Sequence, residues 1–444
     1  MTKFDPRALA LARRLEERGH RAALVGGCVR DALLGLAPHD YDCACSALPE
    51  EVMAICAPFP VHPTGLRHGT VTVVWDGLPV EVTTFRREGA YTDHRRPDRV
   101  DFTQSLEEDL ARRDFTVNAM AWEGDTLVDR FGGQSDLARQ VIRCVGQPER
   151  RFQEDALRIV RALRFSAQLD FSISPDTADA LVSALPLLSH VAQERITGEL
   201  IRLLQGPGAG RVLLDYPQAA ARLLPELTPA MGFDQRNPHH IFDVYTHSVR
   251  TMEGVSPTPV LRLAALLHDV GKPDTFTLDQ DGVGHFYGHQ ERSAAIALET
   301  LTRLRVDHAT RDGAVRLIGL HSLPLTPTPR VVRRWLRRLG EEPFFQLLEL
   351  QRADRAACAP APAAEEDSLA QVEIMARDIL AQAPCLTLKD LAVNGRDALA
   401  AGLEGPAIGA ALNALLEQVA EGELVNDRAV LLPLLAQSPQ PPRE

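Results

Sequence analysis

The stretch LVGGCVRDALLGLAPHDYDCAC, residues 24–45, decides how this chain is read. It reads as strand, tight turn at Gly26-Gly27, helix, short loop and second strand. Residues two apart on a strand share a face, so Asp40 and Asp42 would aim two carboxylates at one point. Such a pair with no cationic neighbour in its strand repels itself and suits a divalent cation. Mg²⁺ held by one or two carboxylates plus substrate phosphates is the usual arrangement in nucleotide enzymes. The glycine turn would let a triphosphate approach the backbone, and Arg30 could grip it. An Asp-x-Asp by itself is as readily an Asp-rich loop cap; the surrounding run carries the information.

The 444 residues leave room for roughly two to four domains. No run of 18 apolar residues exists, so no transmembrane helix is expected. The start, MTKFDPRALALARRLEERGH, reads as a charged amphipathic helix and not a signal peptide, which implies a cytoplasmic protein. The seven cysteines (28, 43, 45, 56, 144, 358 and 385) show no C-x-x-C spacing, so neither a zinc knuckle nor disulfides are expected. A net charge of −12 argues against a protein that coats nucleic acid broadly, though a local basic stripe suffices for RNA. Lys3, Lys272 and Lys389 are the only lysines, so arginine placement is informative here and arginine abundance is not.

Working outward, TVTVVW (70–75) and PVEVTTF (79–85) read as a hairpin around Asp76-Gly77. FRREGAYTDHRRPDRVDF (85–102) reads as a flexible loop. From about residue 146 the pattern becomes almost wholly helical. ACAPAPAAEEDS (357–368) separates the last third, and QSPQPPRE (437–444) should be disordered. The expected fold class is α+β: a small α/β head, 1–145, then helical segments over 146–232, 233–358 and 369–436.

The run GGCVRDALLG followed by DYD resembles the class II nucleotidyltransferase signature of CCA-adding tRNA nucleotidyltransferases and bacterial poly(A) polymerases. RRDFTVNAMA (112–121) resembles the next motif of that family, which implies that Arg113 contacts nucleotide phosphates. Asp114, Thr116 and Asn118 are open to a second reading as caps and turn bonds, favoured for Thr116 and Asn118. GLRHGTVTVVWDGLPVEVTTFR (65–86) is similar to the second strand region of the family. Glu81 within it is then a third carboxylate that acts as base or helps to hold metal; otherwise it is a solvent-facing strand residue. The resemblance assigns the 85–102 loop to the switch from C to A addition; Gly27 and Arg30 go to the nucleotide by the turn and guanidinium chemistry above. One departure is Asp129-Arg130-Phe131, where relatives usually carry a central proline.

RRFQEDALRIVRALRF (150–165) reads as one helix on which Asp155 and Arg158 share a face, with Arg158, Arg161 and Arg164 as a slowly turning stripe. This is a solvated face with an ion pair, or a reader of bases. A carboxylate accepts from an exocyclic amine and a guanidinium donates to a ring acceptor, a pairing that fits cytosine and adenine and rejects uracil and guanine. The family's E-D-x-x-R motif falls on Glu154, Asp155 and Arg158. The resemblance implies that Asp155 and Arg158 select the base and that Arg161 and Arg164 complete the nucleotide site. QERITGEL (193–200) resembles an element that supports this neck.

His247, His268-Asp269 in ALLHDVGK, and Asp354 form a series that resembles the HD phosphohydrolases, with His289 and His321 as additional ligands for a second metal. Imidazoles and carboxylates suit Mn²⁺, Fe²⁺, Ni²⁺ or Zn²⁺, and a bound metal would activate water for phosphoester hydrolysis. A purely structural use of these residues is the competing reading. PRVVRRWLRRLG (329–340) gathers Arg330, Arg333, Arg334, Arg337 and Arg338 on one face, apt for phosphates or merely solvated. LKDLAVNGRDALAAGLEGPAIGAALNALLEQVAEGELVN (388–426) looks like the tail that the family sets against the tRNA elbow, or an ordinary helical hairpin. The activity implied is two-metal, Mg²⁺-dependent addition of CCA to tRNA from CTP and ATP without a nucleic-acid template. The alternatives are A-only or CC-only addition, poly(A) synthesis, an HD phosphohydrolase acting on RNA ends or cyclic nucleotides, and a non-catalytic RNA chaperone. The sequence does not set the oligomeric state.

Overall fold

The computed structural model describes residues 4–88, 100–358, 363–382 and 385–437 and divides into two compact units, Met1–Pro225 and Glu226–Glu444. Residues 89–99 of the anticipated loop, 359–362 of the anticipated break and 438–444 of the anticipated disordered end lie outside the described residues. No described helix is long and apolar enough to cross a membrane.

The first unit is built on β1 (Ala22–Val25), β2 (Tyr41–Cys45), β3 (Val61–Gly65), β4 (Thr70–Trp75), β5 (Leu78–Thr84), β6 (Arg86–Glu88), β7 (Val100–Phe102), β8 (Met120–Glu123) and β9 (Thr126–Asp129). Seven of them form one sheet in the order β3-β4-β5-β2-β1-β8-β9. Only the β2–β5 pair in that sheet is parallel. The β4–β5 turn takes φ of 47° at Asp76 and 81° at Gly77, the double left-handed step that an Asp-Gly hairpin turn favours. The ends of the expected 85–102 loop pair as β6 and β7.

Small residues at the sheet centre fix what can cover it. Ala23, Ala44 and Ala121 are fully buried beside Phe85, Leu106 and Leu110, so the helix Leu106–Ala111 can pack closely. The same registers gather functional candidates. Val25 at the end of β1 opposes Asp42, and Asp42 opposes Glu81 on β5. The Gly26 turn therefore emerges beside the start of β2.

The neck is not one helix. Helix Pro148–Glu154 ends at Asp155, which is extended at φ −135°, and a second helix runs Leu157–Leu169. The Asp155 carboxylate accepts a hydrogen bond from the Leu157 N–H at 3.1 Å, so the aspartate caps a new helix where periodicity suggested continuity.

The second unit is helical among its described residues, apart from a short pair of strands at Thr277–Leu278 and Gly284–His285. Its last part has its own apolar cluster, including Val393, Leu415, Leu416, Leu431 and Leu435. The helix Pro329–Leu339 carries the five arginines, and two of them are engaged by acids. Arg330 pairs with Glu421 at 2.6 Å and Glu423 at 2.9 Å, and Arg337 with Glu417 at 3.0 Å. Helix Pro406–Ala420 and the turn after it supply these acids, which the helical pattern alone could not bring opposite.

Candidate active site and histidine–aspartate centre

A cleft of about 750 Å³ in the first unit is lined by Gly27, Arg30, Asp40, Asp42, Arg113, Asp155, Arg158, Arg161 and Arg164. Every head and neck candidate except Glu81 borders it. Asp40 departs from the expected strand position: it lies in the bend before β2, exposed, while Asp42 lies on the strand and is partly buried. Burial pushes the Asp42 carboxyl up; Arg113 opposes this, while the charges of Glu81 and Asp40 add to it. Among the described residues, no cation pairs with Asp40 or Asp42 at salt-bridge distance, which is the electrostatic setting of a metal seat. Glu81 sits in register beside Asp42, but its side chain is exposed and does not line the cleft.

The glycine turn is fixed by space and by conformation. Gly26 has φ of 76°, and a Cβ there would lie 3.0 Å from Arg113 Nη1 and 3.6 Å from Asp42 Oδ2. Gly26→Ala is expected to destabilise the first unit by roughly 1–2 kcal/mol through the left-handed backbone alone. It should also weaken nucleotide binding by displacing Arg113. Chemical denaturation together with equilibrium titration of CTP checks both effects.

The arginines are held by acids and amides. Arg30 donates to Asn118 Oδ1 at 2.7 Å and pairs with Asp31 at 2.7 Å. Asp109, fully buried, takes Arg112 at 2.7 Å and Arg113 at 3.1 Å. Burial works to raise Asp109, but the two guanidiniums outweigh it and hold the carboxyl low. Thr116 donates to Asp136 at 2.7 Å and so serves the fold. Asn118 does more than close a turn, because it also donates to Asp114 Oδ1 at 3.3 Å.

Asp114 is buried and meets Arg161 at 2.6 Å. Burial again works upward, yet Arg161 and Arg158 hold this carboxyl at about 2. Its folded-state value is depressed, so its stabilisation is present above the unfolded value near 4 and is lost as pH falls from there towards 2. Asp114 is expected to contribute on the order of 2 kcal/mol at neutral pH. Urea unfolding of wild type and Asp114→Asn should show a gap that narrows across that acid window.

In the neck, Asp155 and Arg158 do not form the expected pair. Arg158 binds Glu154 at 2.8 Å and the Arg112 carbonyl at 3.0 Å, whereas Asp155 Oδ2 takes Arg195 at 3.3 Å. The break at Asp155 removes the i,i+3 geometry on which the pairing depended. Arg158 and Arg164 are buried, so this is not a solvated stripe. Arg164 hydrogen-bonds Glu199 and lies 3.8 Å over the Phe165 ring, which Arg30 and Arg161 also approach at 5.3 Å. Sequence reasoning did not single out Asp109, Arg112, Phe165, Arg195 or Glu199. Arg195 and Glu199 stand four apart in QERITGEL on one helix, a spacing that marks a shared face.

The second unit gathers a separate centre. His247 Nε2 lies 2.9 Å from Asp354 and 3.5 Å from Asp269, and His268 Nε2 lies 3.2 Å from Asp269. His289 and His321 approach the other Asp269 oxygen at 3.4 and 3.7 Å. All six histidine and aspartate candidates are thus brought together. Burial pulls His268 down, but Asp269 and Asp354 outweigh it and hold the imidazole up at about 10. The buried His268 Nε2 and Asp269 Oδ1 have no hydrogen-bond partner. These unpartnered atoms, with the partly buried Asp354 carboxylate alongside, fit a metal ion. Lys272, which was not singled out, reaches Asp269 at 2.7 Å and Gln235 at 2.8 Å. His240 and Cys358 were also not singled out, yet both line the same cavity of about 420 Å³.

Comparison with known proteins places these features in context. Residues 22–143 match the poly A polymerase head domain, 170–231 the family described as the probable RNA and SrmB binding site of polymerase A, 239–358 the HD domain, and 301–435 the tRNA nucleotidyltransferase domain 2. A CCA-adding enzyme of Geobacillus stearothermophilus is 37% identical over 429 residues, covering 95% of this chain and 94% of its own. The crystal structure of a Bacillus stearothermophilus CCA-adding enzyme in complex with CTP matches with a TM-score of 0.72 at 33% identity, over 97% of this chain and 96% of its own. A tRNA nucleotidyltransferase solved with a primer tRNA and an incoming ATP analog matches at 26% identity and a TM-score of 0.56, over 83% of this chain and 98% of its own.

Proposed function

Because this chain belongs to the family of bacterial CCA-adding tRNA nucleotidyltransferases, we propose that its first-unit cleft joins CMP and AMP to the 3′ end of tRNA. The activity is addition of CCA from CTP and ATP without a nucleic-acid template. The observation that carries the site assignment is the convergence of the two carboxylates, the glycine turn and the neck arginines on one cavity.

The tRNA 3′-hydroxyl oxygen forms a bond to the α-phosphorus of the nucleotide. The bond from that phosphorus to the bridging oxygen breaks, pyrophosphate leaves and the hydroxyl proton passes to water. Asp40 and Asp42 would hold a divalent ion, Mg²⁺, which when bound supplies charge stabilisation to the transferred phosphate. Glu81, beside Asp42, keeps the local field negative for that ion. Arg30 and Arg113 bind the polyphosphate, and Gly27 leaves the backbone open to it. Asp155 and Arg158 read the base, while Arg161 and Arg164 shape the nucleotide site and brace the Phe165 ring. The four-part reading of head 1–145, neck 146–232, HD segment 233–358 and tail 369–436 goes with these roles, the tail meeting tRNA. A cytoplasmic location goes with a tRNA substrate.

The test uses tRNA transcripts ending at the discriminator base, at C and at CC, each incubated with Mg²⁺ and CTP, ATP or both. Completion of CCA on all three is expected. Extension of the CC-ending transcript alone, or long A tails, would overturn the full activity.

For the second unit, His247, His268, Asp269 and Asp354 would hold a transition metal such as Mn²⁺, Ni²⁺, Fe²⁺ or Zn²⁺, with His289 and His321 beside it. Such a metal would supply an activated water for phosphoester hydrolysis of RNA ends or cyclic nucleotides. Lys272 holds one Asp269 oxygen and adds positive charge for a phosphate. Asp269→Asn is expected to lower metal affinity by at least roughly 10–100-fold, by analogy with lost ligand support. It should leave CCA addition unchanged. Metal analysis after dialysis and a tRNA extension assay measure the two separately.

A further inference from the structure

We infer that the histidine–aspartate centre has a second, thiophilic metal seat made of His240, His247 and Cys358, and that it takes Zn²⁺ or a similarly soft divalent cation. The inference rests on reading the adjacent centre as a metal site, and goes beyond it in ligands and in metal class. His240, His247 and Cys358 each offer a donor atom, and these atoms all lie within 4.8 Å of one another. Cys358 Sγ is 3.7 Å from His240 Nδ1, and the His240 and His247 rings meet edge to face at 5.4 Å. One metal ion can bridge Cys358 Sγ and His240 Nδ1 at 3.7 Å, since Zn–N and Zn–S bonds of about 2.0–2.3 Å span about 4 Å across the ion.

The placement is built into the fold. Cys358 follows the helix Glu341–Ala356 that carries Asp354, four residues later, so the thiol is directed to the side where Asp354 meets His247. His240 stands at the end of a turn in which its N–H donates to the Asn237 carbonyl at 3.0 Å. The Asn237 amide is in turn anchored to the Gly284 carbonyl at 3.1 Å. His240 and Cys358 face the cavity that also holds Asp269 and Asp354. Cys28, Cys43, Cys45, Cys56 and Cys144 are buried in the first unit and, among the described residues, belong to no such donor group, so the arrangement at Cys358 is not a general feature of these cysteines.

The donor chemistry sets the metal class. The adjacent histidine–aspartate set offers nitrogen and oxygen, which accept many first-row ions. Two imidazoles with a thiolate select Zn²⁺, Co²⁺ and other thiophilic ions over Mg²⁺ and Mn²⁺. His247 belongs to both sets, so filling one seat bears directly on the other.

The test titrates Co²⁺ into the full chain after chelator stripping, with optical spectra recorded at each step. The wild type is expected to show visible d–d bands together with a near-ultraviolet thiolate-to-cobalt charge-transfer band. Cys358→Ser should lose the charge-transfer band and keep d–d bands from the histidine–aspartate centre, and His240→Ala should weaken the former. Asp269→Asn, which spares all three proposed ligands, should retain the charge-transfer band. Wild-type d–d bands without a charge-transfer band overturn the thiophilic seat while leaving the neighbouring centre intact. A charge-transfer band that persists in Cys358→Ser overturns it too. No cobalt spectrum at all removes both seats together.

Discussion

Asp42→Ala is expected to abolish incorporation of both CMP and AMP, with kcat/KM falling by at least about 10³-fold, because several kcal/mol of metal-borne stabilisation disappears. The variant should still fold. The Asp42 carboxyl is raised by burial, so ionising it costs the metal-free folded state free energy. A group whose folded value is raised stabilises the fold at low pH and destabilises it once ionised. Asp42→Asn in the presence of chelator should therefore be as stable as the wild type or more so at neutral pH, and equally inactive. Thermal unfolding alongside single-nucleotide extension separates lost chemistry from lost fold. A stable Asp42→Asn protein with near wild-type turnover would remove this residue from the metal seat.

Asp155→Asn is expected to blur base choice without unfolding the neck. A well-made pair of base contacts discriminates by about 1–3 kcal/mol, roughly 5–150-fold. Asparagine keeps an oxygen for the Leu157 N–H, so the cap on helix Leu157–Leu169 survives. It also offers an N–H₂, so it can turn to a carbonyl edge, and incorporation of UMP should rise relative to CMP. Arg195 loses its charged partner in the same variant, which Arg195→Ala measures separately. Full discrimination retained by Asp155→Asn would contradict reading of the base by the protein.

The head was legible because its signals are local. The Gly26-Gly27 turn and the Asp76-Gly77 hairpin each act within a few residues, whereas Asp40 lies in the bend and not on the strand where the Asp-Tyr-Asp spacing put it. The histidine–aspartate set was legible as residue types, and the fold brings all six together. The rest depended on contacts across long separations. The neck was misread as one helix because Asp155 fits helical periodicity equally well as a cap. Arg158 turned from Asp155 to Glu154 for that reason. That Arg330 and Arg337 of the five-arginine helix are paired emerged only once Glu417, Glu421 and Glu423 were seen opposite them. Asp109, Arg195 and Glu199 carried no motif of their own, and their importance lies in which arginines they hold. His240 and Cys358 lie 118 residues apart and were invisible as a pair.

The central claim is that the protein itself, with no RNA present, selects cytosine and adenine. Equilibrium binding of CTP, ATP, UTP and GTP to the tRNA-free chain in Mg²⁺ tests it most directly. CTP and ATP should bind tighter than UTP and GTP by roughly tenfold or more, with the difference largely erased in Asp155→Asn. Equal affinity for all four nucleotides in the wild type would contradict it and move selection to the tRNA.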